Sequence, residues 1–272
     1  MVRTLNKKIN IDGTDVVKIR YINDVHVGHR DVDYKKFESD IKAIQDGGEH
    51  YYWIGGGDFC ECFNRRDKRH SADNEADFCH GQTDIIRTQI DYFCDSIRPI
   101  MPQCLGIVEG NHENSMMVTY ERDVTYEMLR LVDPGAQLFL GVAGFIQLSI
   151  LTKGHRRCGI NIFCHHGYGG GVFKGGHALA LERVFMWYDC DVALMGHRHI
   201  RMDIENIFQA PCGKGSASRI RLAAFGGAYK SQSEDDKPDR SWETKRGFPP
   251  NVPKGYVLEI NPYYKEMKLV KD

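Results

Sequence analysis

The sequence predicts an α+β (layered α/β) fold in which two mixed β-sheets pack as a sandwich flanked by helices. Short apolar runs alternate with segments of helical periodicity in the first half of the chain, which is typical of strands joined by helices. The second half consists mainly of consecutive β-branched and apolar runs. These two patterns in one chain predict two sheets that share a core, with helices outside.

The first half contains three predicted strands and three predicted helices. The strands are apolar and short, and they occupy residues 16–22, 51–54 and 103–108. The helices carry apolar residues at helical spacing and occupy residues 34–45, 83–97 and 113–131. Residues 64–82 are polar and show no periodicity, which predicts a loop or an inserted lobe.

The second half is predicted to be rich in strands. The predicted strands occupy residues 136–142, 145–152, 157–164, 191–195, 219–224, 255–260 and 263–270. A hairpin turn is predicted at 152–155, a glycine-rich loop at 169–171 and a helix at 177–187. We interpret the whole chain, 1–272, as a single domain with an inserted lobe around 60–100 and a surface loop at 231–253.

The composition limits the class of protein. The chain has 272 residues and a formal net charge of −1, so it has no global basic field, which argues against a processive duplex nuclease. The basic run Arg65, Arg66, Lys68 and Arg69 is interpreted as a solvated loop.

The cysteines and the apolar runs indicate a cytoplasmic protein. Nine scattered cysteines without a CxxC pair favour reduced thiols in the core. The first residues show no apolar signal-peptide core, and no apolar run approaches the roughly 18 residues that span a bilayer. We therefore expect a cytoplasmic location and no membrane partner.

Five predicted strands end in residue types that bind metal ions. Residues two apart in an extended chain point to the same side, so the spacings D-x-H and H-x-H are expected to aim pairs of side chains at one point. Strand ends meet at one edge of a layered sheet, where sites are usually built. The candidate ligands at these ends are Asp24, His26, Asp58, Asn111, His166, His197 and His199.

The ordered motifs at these ends resemble those of the calcineurin-like metallophosphoesterase superfamily. The family pattern of D-x-H, GD, GNHE, a histidine at a strand end and GHxH is complete here between residues 24 and 199. The resemblance implies a metallophosphoesterase-like fold and a hydrolase that is a phosphodiesterase or a phosphatase.

The resemblance also implies a role for each ligand. Asp24, His26, Asp58 and His199 would bind the first metal ion, and Asp58, Asn111, His166 and His197 would bind the second. Asp58 would bridge two ions that hold the nucleophilic hydroxide between them. His112 would protonate the leaving group as the catalytic residue.

Two divalent ions are the expected cofactors. The oxygen and nitrogen ligands without a thiolate favour Mn²⁺, Fe, Zn²⁺, Co²⁺ or Ni²⁺, and we expect manganese first.

Several residues near the motifs have two alternative interpretations. His165 and His166 are adjacent, so one of them is expected to be a ligand, and His166 is preferred because it precedes Gly167. His29 is either a substrate contact or a surface histidine. Arg198 and Lys174 are candidate substrate-binding residues, with plain exposure as the alternative.

The sequence leaves three function classes. A phosphate mono- or diesterase is preferred, with a nucleotide or nucleic acid among the possible substrates. The alternatives are a nuclease acting on single-stranded or damaged DNA, and a non-catalytic metal-binding interaction module on the same fold. The presence of all seven ligands and His112 favours an enzyme over the module. The oligomeric state is left open.

Overall fold

The computed structural model describes residues 1–12, 15–67, 69–152, 157–171, 173–231, 247 and 253–272. Within these residues eleven strands form one sheet of six strands and one of five. The bounds of the strands are β1 Arg3–Ile11, β2 Val17–Ile22, β3 Tyr51–Gly55, β4 Cys104–Ile107, β5 Ala143–Thr152, β6 Arg157–His165, β7 Val192–Met195, β8 Arg201–Cys212, β9 Gly215–Gly226, β10 Tyr256–Asn261 and β11 Glu266–Lys271.

Both sheets are mixed. The six-stranded sheet has the order β1-β5-β6-β7-β9-β8, with β6, β7 and β9 parallel and with antiparallel pairs β5–β6 and β8–β9. The five-stranded sheet has the order β11-β10-β2-β3-β4, in which β2, β3 and β4 are parallel. The carboxyl ends of β2, β3 and β4 therefore lie at one edge of one sheet, and those of β6 and β7 lie at one edge of the other.

Apolar side chains fill the space between the two sheets. Ile19 and Leu258 from the five-stranded sheet and Ile162 from the six-stranded sheet belong to this core, and each is at most 1% exposed. A second cluster packs Phe37, Phe93 and other helix residues against Trp53 of β3 on the outer side of the five-stranded sheet. A third cluster packs the last helix on the six-stranded sheet. The predicted fold class is thereby confirmed. The helices are α1 Tyr34–Asp46, α2 Ile85–Ile97, α3 Asn111–Tyr120, α4 Val124–Val132 and α5 Lys174–Trp187.

The single helix predicted at 113–131 is wrong, because the structure divides it into α3 and α4. Glu121 ends α3 with φ +56° and ψ +30°, a left-handed conformation that cannot continue a right-handed helix. Asp123 then begins α4, and its side chain accepts a hydrogen bond from the backbone N–H of Tyr126. Apolar spacing alone did not reveal this break.

The strand predicted at 136–142 is also wrong. Only Phe139 forms an isolated bridge there, with Ile107. The Arg3 guanidinium donates hydrogen bonds to the backbone carbonyls of Ala136, Gln137 and Phe139 at 2.6–3.1 Å. A side chain thus satisfies backbone acceptors that a strand would pair with a neighbouring strand.

Strands β1 and β8 were missed by the sequence patterns. Both lie at the edges of the six-stranded sheet, and they alternate partly exposed with exposed residues over much of their length. Their hydrophobic signal is therefore weak. Most residues of the predicted turn at 152–155 and of the predicted loop at 231–253 lie outside the described residues.

Two further expectations concern cysteines and membranes. Eight cysteines are buried and free, as expected, and Cys212 is exposed. No helix among the described residues is long and apolar enough to cross a membrane.

Candidate metal centre

Loops from both sheets meet at the candidate metal centre. Asp24 and His26 follow β2, Asp58 follows β3 and Asn111 begins α3 after β4, whereas His166 follows β6, and His197 and His199 follow β7. Three groups of side chains have their ligand atoms within 4.8 Å of one another. These groups are Asp24, His26 and His199; His26, Asp58 and His112; and Asp58, His166 and His197.

The backbone of these loops is left-handed at five of the seven predicted ligands. An L-residue in this conformation costs roughly 1–2 kcal/mol relative to the right-handed one. The expectation that extended alternation aims D-x-H and H-x-H at one point is therefore wrong, because the strands end before the motifs begin. The residues and their φ angles are Asp24 (+49°), His26 (+56°), Asp58 (+50°), His197 (+71°) and His199 (+51°).

Gly110 shows how closely the loops approach one another. A Cβ atom at this position would lie 2.0 Å from the backbone nitrogen of Asp58 and 2.2 Å from its Oδ1. A larger residue would therefore push the loop after β4 away from the loop after β3. This explains the glycine in front of Asn111 as a requirement for close packing.

The first cluster joins the loop after β2 with the loop after β7. The Nε2 atoms of His26 and His199 lie 2.9 Å apart, and Asp24 Oδ1 lies 3.3 Å from His199 Nε2 and 3.9 Å from His26 Nε2. Asp24 is also held by the backbone N–H of His197, which lies 3.0 Å from Oδ1 and 2.9 Å from Oδ2. All three side chains present nitrogen or oxygen atoms to one small volume.

The second cluster surrounds Asn111. Its Oδ1 lies 3.0 Å from His166 Nε2 and 2.6 Å from His197 Nδ1. Asp58 Oδ2 lies 3.2 Å from His166 Nε2. Asp58 also belongs to the group with His26, so it is shared between the two halves of the centre.

Two imidazoles are oriented by acceptors behind them. His166 Nδ1 donates a hydrogen bond to the backbone carbonyl of Gly56 at 2.8 Å, so its Nε2 faces Asp58 and Asn111. His26 Nδ1 lies 2.9 Å from Glu61 Oε2, which directs His26 Nε2 towards His199. An acceptor behind a metal-binding histidine fixes its tautomer and ring orientation in this way.

The donor set fits divalent metal ions. Ligand atoms that share one ion at about 2.1 Å lie roughly 3.0–3.4 Å from each other. The separations of 2.9 Å and 3.3 Å in the first cluster and of 3.0 Å and 3.2 Å in the second are close to this range. Imidazole nitrogens and carboxylate and amide oxygens are donors that borderline divalent ions accept.

Asp58 joins the centre to helix α3. Gly110, the residue before α3, has no side chain to cap the helix, and Asp58 Oδ1 instead accepts a hydrogen bond from the His112 backbone N–H at 2.8 Å. The positive end of the helix thus faces a carboxylate, which is the favourable arrangement. Burial raises the pKa of Asp58, but His112 and His166 outweigh it and hold that pKa well below its ordinary value.

Glu113 binds the backbone of the loop after β3. This 1%-exposed carboxylate accepts hydrogen bonds from three consecutive backbone N–H groups, those of Asp58, Phe59 and Cys60, at 2.7–3.1 Å. Burial and the neighbouring Asp58 charge raise the pKa of Glu113 to about 7. The side chain fixes the turn that presents Asp58 to the centre.

His112 lies beside the shared carboxylate. Its Nδ1 lies 2.7 Å from the Glu61 carbonyl oxygen, which can only accept, so Nδ1 carries a proton and Nε2 faces the centre. Nε2 is 3.9 Å from Asp58 Oδ2. The ring meets His26 edge to face with centroids 4.6 Å apart.

The structure separates His165 from His166. His166 lies within the second cluster, whereas His165 Nδ1 accepts a hydrogen bond from the Gly167 backbone N–H and its ring contacts Tyr168 on the other face of β6. Burial lowers the pKa of His165 to about 4.

The candidate substrate residues have different surroundings. His29 is 3% exposed, so the surface reading is wrong, and its Nδ1 accepts from the Asp31 backbone N–H. The Arg198 guanidinium donates to the Tyr168 carbonyl, and its Nη1 lies 2.8 Å from His177 Nδ1. These two contacts connect the segment before the glycine-rich loop with the start of α5. Lys174 is exposed as the first residue of α5.

Two buried carboxylates near the centre were missed by sequence reasoning. Glu61 and Glu113 are both at most 6% exposed, and each contacts the segment that carries Asp58 or His26. Glu113 stands inside the GNHE motif, so its position was a usable signal. Glu61 carries no motif of its own, and only its place three residues after Asp58 could have indicated it.

The solved structures that match this chain include three from different organisms. A Vps29 double mutant from Entamoeba histolytica is 15% identical over 94% of this chain and 98% of its own, with a TM-score of 0.43. A conserved uncharacterized protein from Streptococcus pneumoniae, described as a predicted phosphoesterase, is 12% identical over 96% and 100%, with a TM-score of 0.34. The calcineurin-like phosphoesterase YfkN from Bacillus subtilis is 10% identical over 90% and 84%, with a TM-score of 0.41.

The second and the third of these proteins are described as phosphoesterases, and YfkN as calcineurin-like. No protein-family model matches the chain, and no curated protein matches it.

Proposed function

We propose that this protein hydrolyses phosphate mono- or diesters at a centre of two divalent metal ions. The observation that carries the proposal is the pair of ligand clusters linked by Asp58, which groups with His26 of the first cluster and with His166 and His197 of the second, with His112 beside its carboxylate. Asp24, His26, Asp58 and His199 would hold one ion, and Asp58, Asn111, His166 and His197 the other. When bound, two such ions neutralise phosphate oxygens and generate a nucleophile from water near neutral pH.

The residues of the chain supply orientation and proton transfer. Left-handed loops from both sheets aim the ligands inward, and Glu113 and Gly56 hold the loop and the imidazole behind them. This arrangement is built before substrate arrives, which reduces the reorganisation that the reaction requires.

His112 is proposed to protonate the leaving oxygen. Its Nδ1–H is fixed on the Glu61 carbonyl, so only Nε2 is available to give a proton towards the centre. An imidazole titrates in the range suited to this task, and such proton transfer contributes about 10²- to 10⁴-fold in rate. The group of His26, Asp58 and His112 also permits a ligand role for His112, which metal analysis distinguishes.

The remaining parts of the proposal concern the ion, the substrate and the location. The nitrogen and oxygen donors suit manganese among the borderline divalent ions. A phosphate ester is the partner, with nucleotides and single-stranded nucleic acid in the proposed range because the net charge of −1 gives no broad field for duplex DNA. A cytoplasmic location without a membrane partner stays a prediction.

Turnover by reconstituted protein tests the proposal. Metal-stripped protein is loaded with Mn²⁺, its metal content is measured, and hydrolysis of bis(p-nitrophenyl) phosphate and p-nitrophenyl phosphate is followed. We expect about two ions per chain and metal-dependent release of p-nitrophenolate from at least one ester. Two bound ions without turnover of either ester would instead support the non-catalytic metal-binding module.

A further inference from the structure

A stack of side chains extends from His112 into the segment interpreted as an inserted lobe. The rings of Phe63 and His112 are stacked with centroids 4.8 Å apart and an interplanar angle of 28°. The Arg69 guanidinium carbon lies 4.0 Å from the centroid of the Phe63 ring. Neither Phe63 nor Arg69 belongs to the five motifs.

Phe63 thus contacts both His112 and Arg69. Its ring stacks on the imidazole, and the guanidinium lies over the same ring. Phe63 therefore connects the imidazole of the GNHE motif with a charged side chain of the inserted lobe.

Arg69 is itself fixed by the lobe. Its Nε and Nη2 atoms donate to the two carboxylate oxygens of Asp67 at 3.0 and 2.7 Å, and its backbone N–H donates to Asp67 Oδ1 at 2.9 Å. A bidentate pair of this kind sets the plane of the guanidinium. Arg69 is exposed, in keeping with the interpretation of this run as a solvated loop, and its guanidinium also packs on Phe63.

The contacts of His112 show what the stack adds. The hydrogen bond from Nδ1 to the Glu61 carbonyl fixes one direction in the ring, and His26 contacts the ring with centroids 4.6 Å apart. The ring can still tilt about the hydrogen bond, since the second side-chain torsion of histidine is broad. Phe63 covers the ring face and restricts this tilt, which keeps Nε2 directed at the centre.

We propose that Phe63 is a positioning residue for His112, held in place by Arg69. This inference rests on the proposed function and deepens it. Positioning of the proton donor matters most for esters whose leaving group needs a proton, such as unactivated phenols and alcohols. It matters little for p-nitrophenolate, which leaves without one.

The test compares leaving groups in one pair of substrates. Bis(p-nitrophenyl) phosphate and diphenyl phosphate have the same aryl frame and differ in how much the leaving group needs protonation. For Phe63→Leu we expect kcat on diphenyl phosphate to fall about tenfold, with less than a twofold change on the nitrophenyl ester and an unchanged KM on both. Phe63→Tyr keeps the ring and should restore kcat on diphenyl phosphate.

A second variant removes the outer side of the stack. Arg69→Gln should reduce kcat on diphenyl phosphate about threefold, in keeping with the loss of one partly exposed cation–π contact. Arg66→Gln is the matched control, since it removes the same charge from an exposed neighbour and should leave the ratio of the two rates unchanged. Metal content and thermal unfolding of each variant are measured alongside.

The outcomes separate the two proposals. Wild-type protein with two ions that hydrolyses none of bis(p-nitrophenyl) phosphate, diphenyl phosphate and p-nitrophenyl phosphate overturns the proposed function. Wild-type turnover of both esters, with equal losses on both in Phe63→Leu or no rescue by Phe63→Tyr, overturns the positioning role and leaves the function standing.

Discussion

Asp58 uses each oxygen of its carboxylate for a different purpose. Oδ1 accepts the His112 backbone N–H at the start of α3, and Oδ2 faces His166 at 3.2 Å. One residue thus fixes the position of a helix and joins the two ligand clusters. The same side chain is 1% exposed, so no solvent can replace it in either contact.

Asp58→Asn should remove at least one ion from the centre. The amide is neutral and offers only one acceptor atom, so it cannot both cap α3 and bridge two ions. We expect metal affinity to fall by at least about 100-fold and activity to fall with it. Metal content after dialysis and the rate on bis(p-nitrophenyl) phosphate measure this. Asp91→Asn, a change at a partly exposed position on α2 away from the centre, is the control, and full metal content in Asp58→Asn would rule out the bridge.

His112→Ala should keep both ions and lose activity selectively. Because the side chain is proposed to donate a proton and not to bind metal, we expect a loss of about 10²- to 10⁴-fold on diphenyl phosphate and a smaller loss on its nitrophenyl analogue. Elemental analysis and the two rates check this. The exposed change His80→Ala serves as the control, and loss of an ion in His112→Ala would assign His112 to the ligands instead.

The sequence revealed which residues converge but not how the backbone presents them. Asp24 and His199 could be named because each follows a short apolar run that ends at the same edge. Their left-handed backbone could not be predicted, since that conformation is uncommon in any residue other than glycine, even in aspartate and histidine, and the surrounding contacts impose it. Glu61 was not predicted for a related reason, because its role depends on a contact with His26 across the fold.

At the scale of elements, the loop between α3 and α4 contains strain that a substitution can relieve. Glu121 is exposed and adopts φ +56° where it closes the last turn of α3, with its N–H bonded to the Met117 carbonyl at 3.1 Å. Glycine adopts this conformation without the clash of a Cβ atom and is the preferred residue at such helix ends.

Glu121→Gly should therefore stabilise the protein. The expected rise in the free energy of unfolding is about 0.5–1 kcal/mol, because the relief of left-handed strain exceeds the added entropy of the unfolded chain. Urea unfolding measures this gain, and the slope of the unfolding free energy against urea concentration should stay unchanged. Glu121→Ala keeps the Cβ atom and should give no gain. Equal stabilities of the glycine and alanine variants would show that the strain is absent.

Elements with a buried apolar face were predictable, and those held by particular side chains were not. Strand β2 and helix α2 are recognisable because their buried residues recur at the expected period. The segment after α4 has the composition of a strand, yet Arg3, more than 130 residues away, binds its carbonyls. A contact over such a sequence separation leaves no local pattern.

At the scale of the whole molecule, charged side chains connect Asp272, the residue after β11, with β2 and helix α1. The Asp272 carboxylate contacts Arg20 of β2 and Lys36 of α1, and Arg20 also pairs with Asp40 at 2.9 Å. Burial raises the pKa of Asp272, but Lys36 and Arg20 outweigh it and lower that pKa below its ordinary value. The network joins three separate parts of the five-stranded side of the fold.

Asp272→Asn should lower the free energy of unfolding at neutral pH and make that free energy less sensitive to a fall in pH. A carboxylate whose pKa is lowered in the folded state stabilises the fold at pH values above its ordinary pKa, which is near 3.9. This stabilisation is lost as the pH falls through and below that pKa. We expect a loss of about 1 kcal/mol at pH 7, allowing for partial exposure, that shrinks towards pH 3. Urea unfolding across pH 3–7 measures the difference from wild type. The exposed change Asp46→Asn is the control, and a difference that stays constant with pH would contradict the assignment.

The left-handed ligand residues have a consequence for how this sequence can diverge. Under the proposed function, the need for an imidazole ligand accounts for a histidine in a left-handed backbone at positions 26 and 199. In a descendant that has lost the metal centre, drift should replace these residues first with glycine or asparagine, which adopt the same backbone at less cost. Such substitutions at both positions would therefore mark lineages in which the proposed activity has been lost while the fold persists.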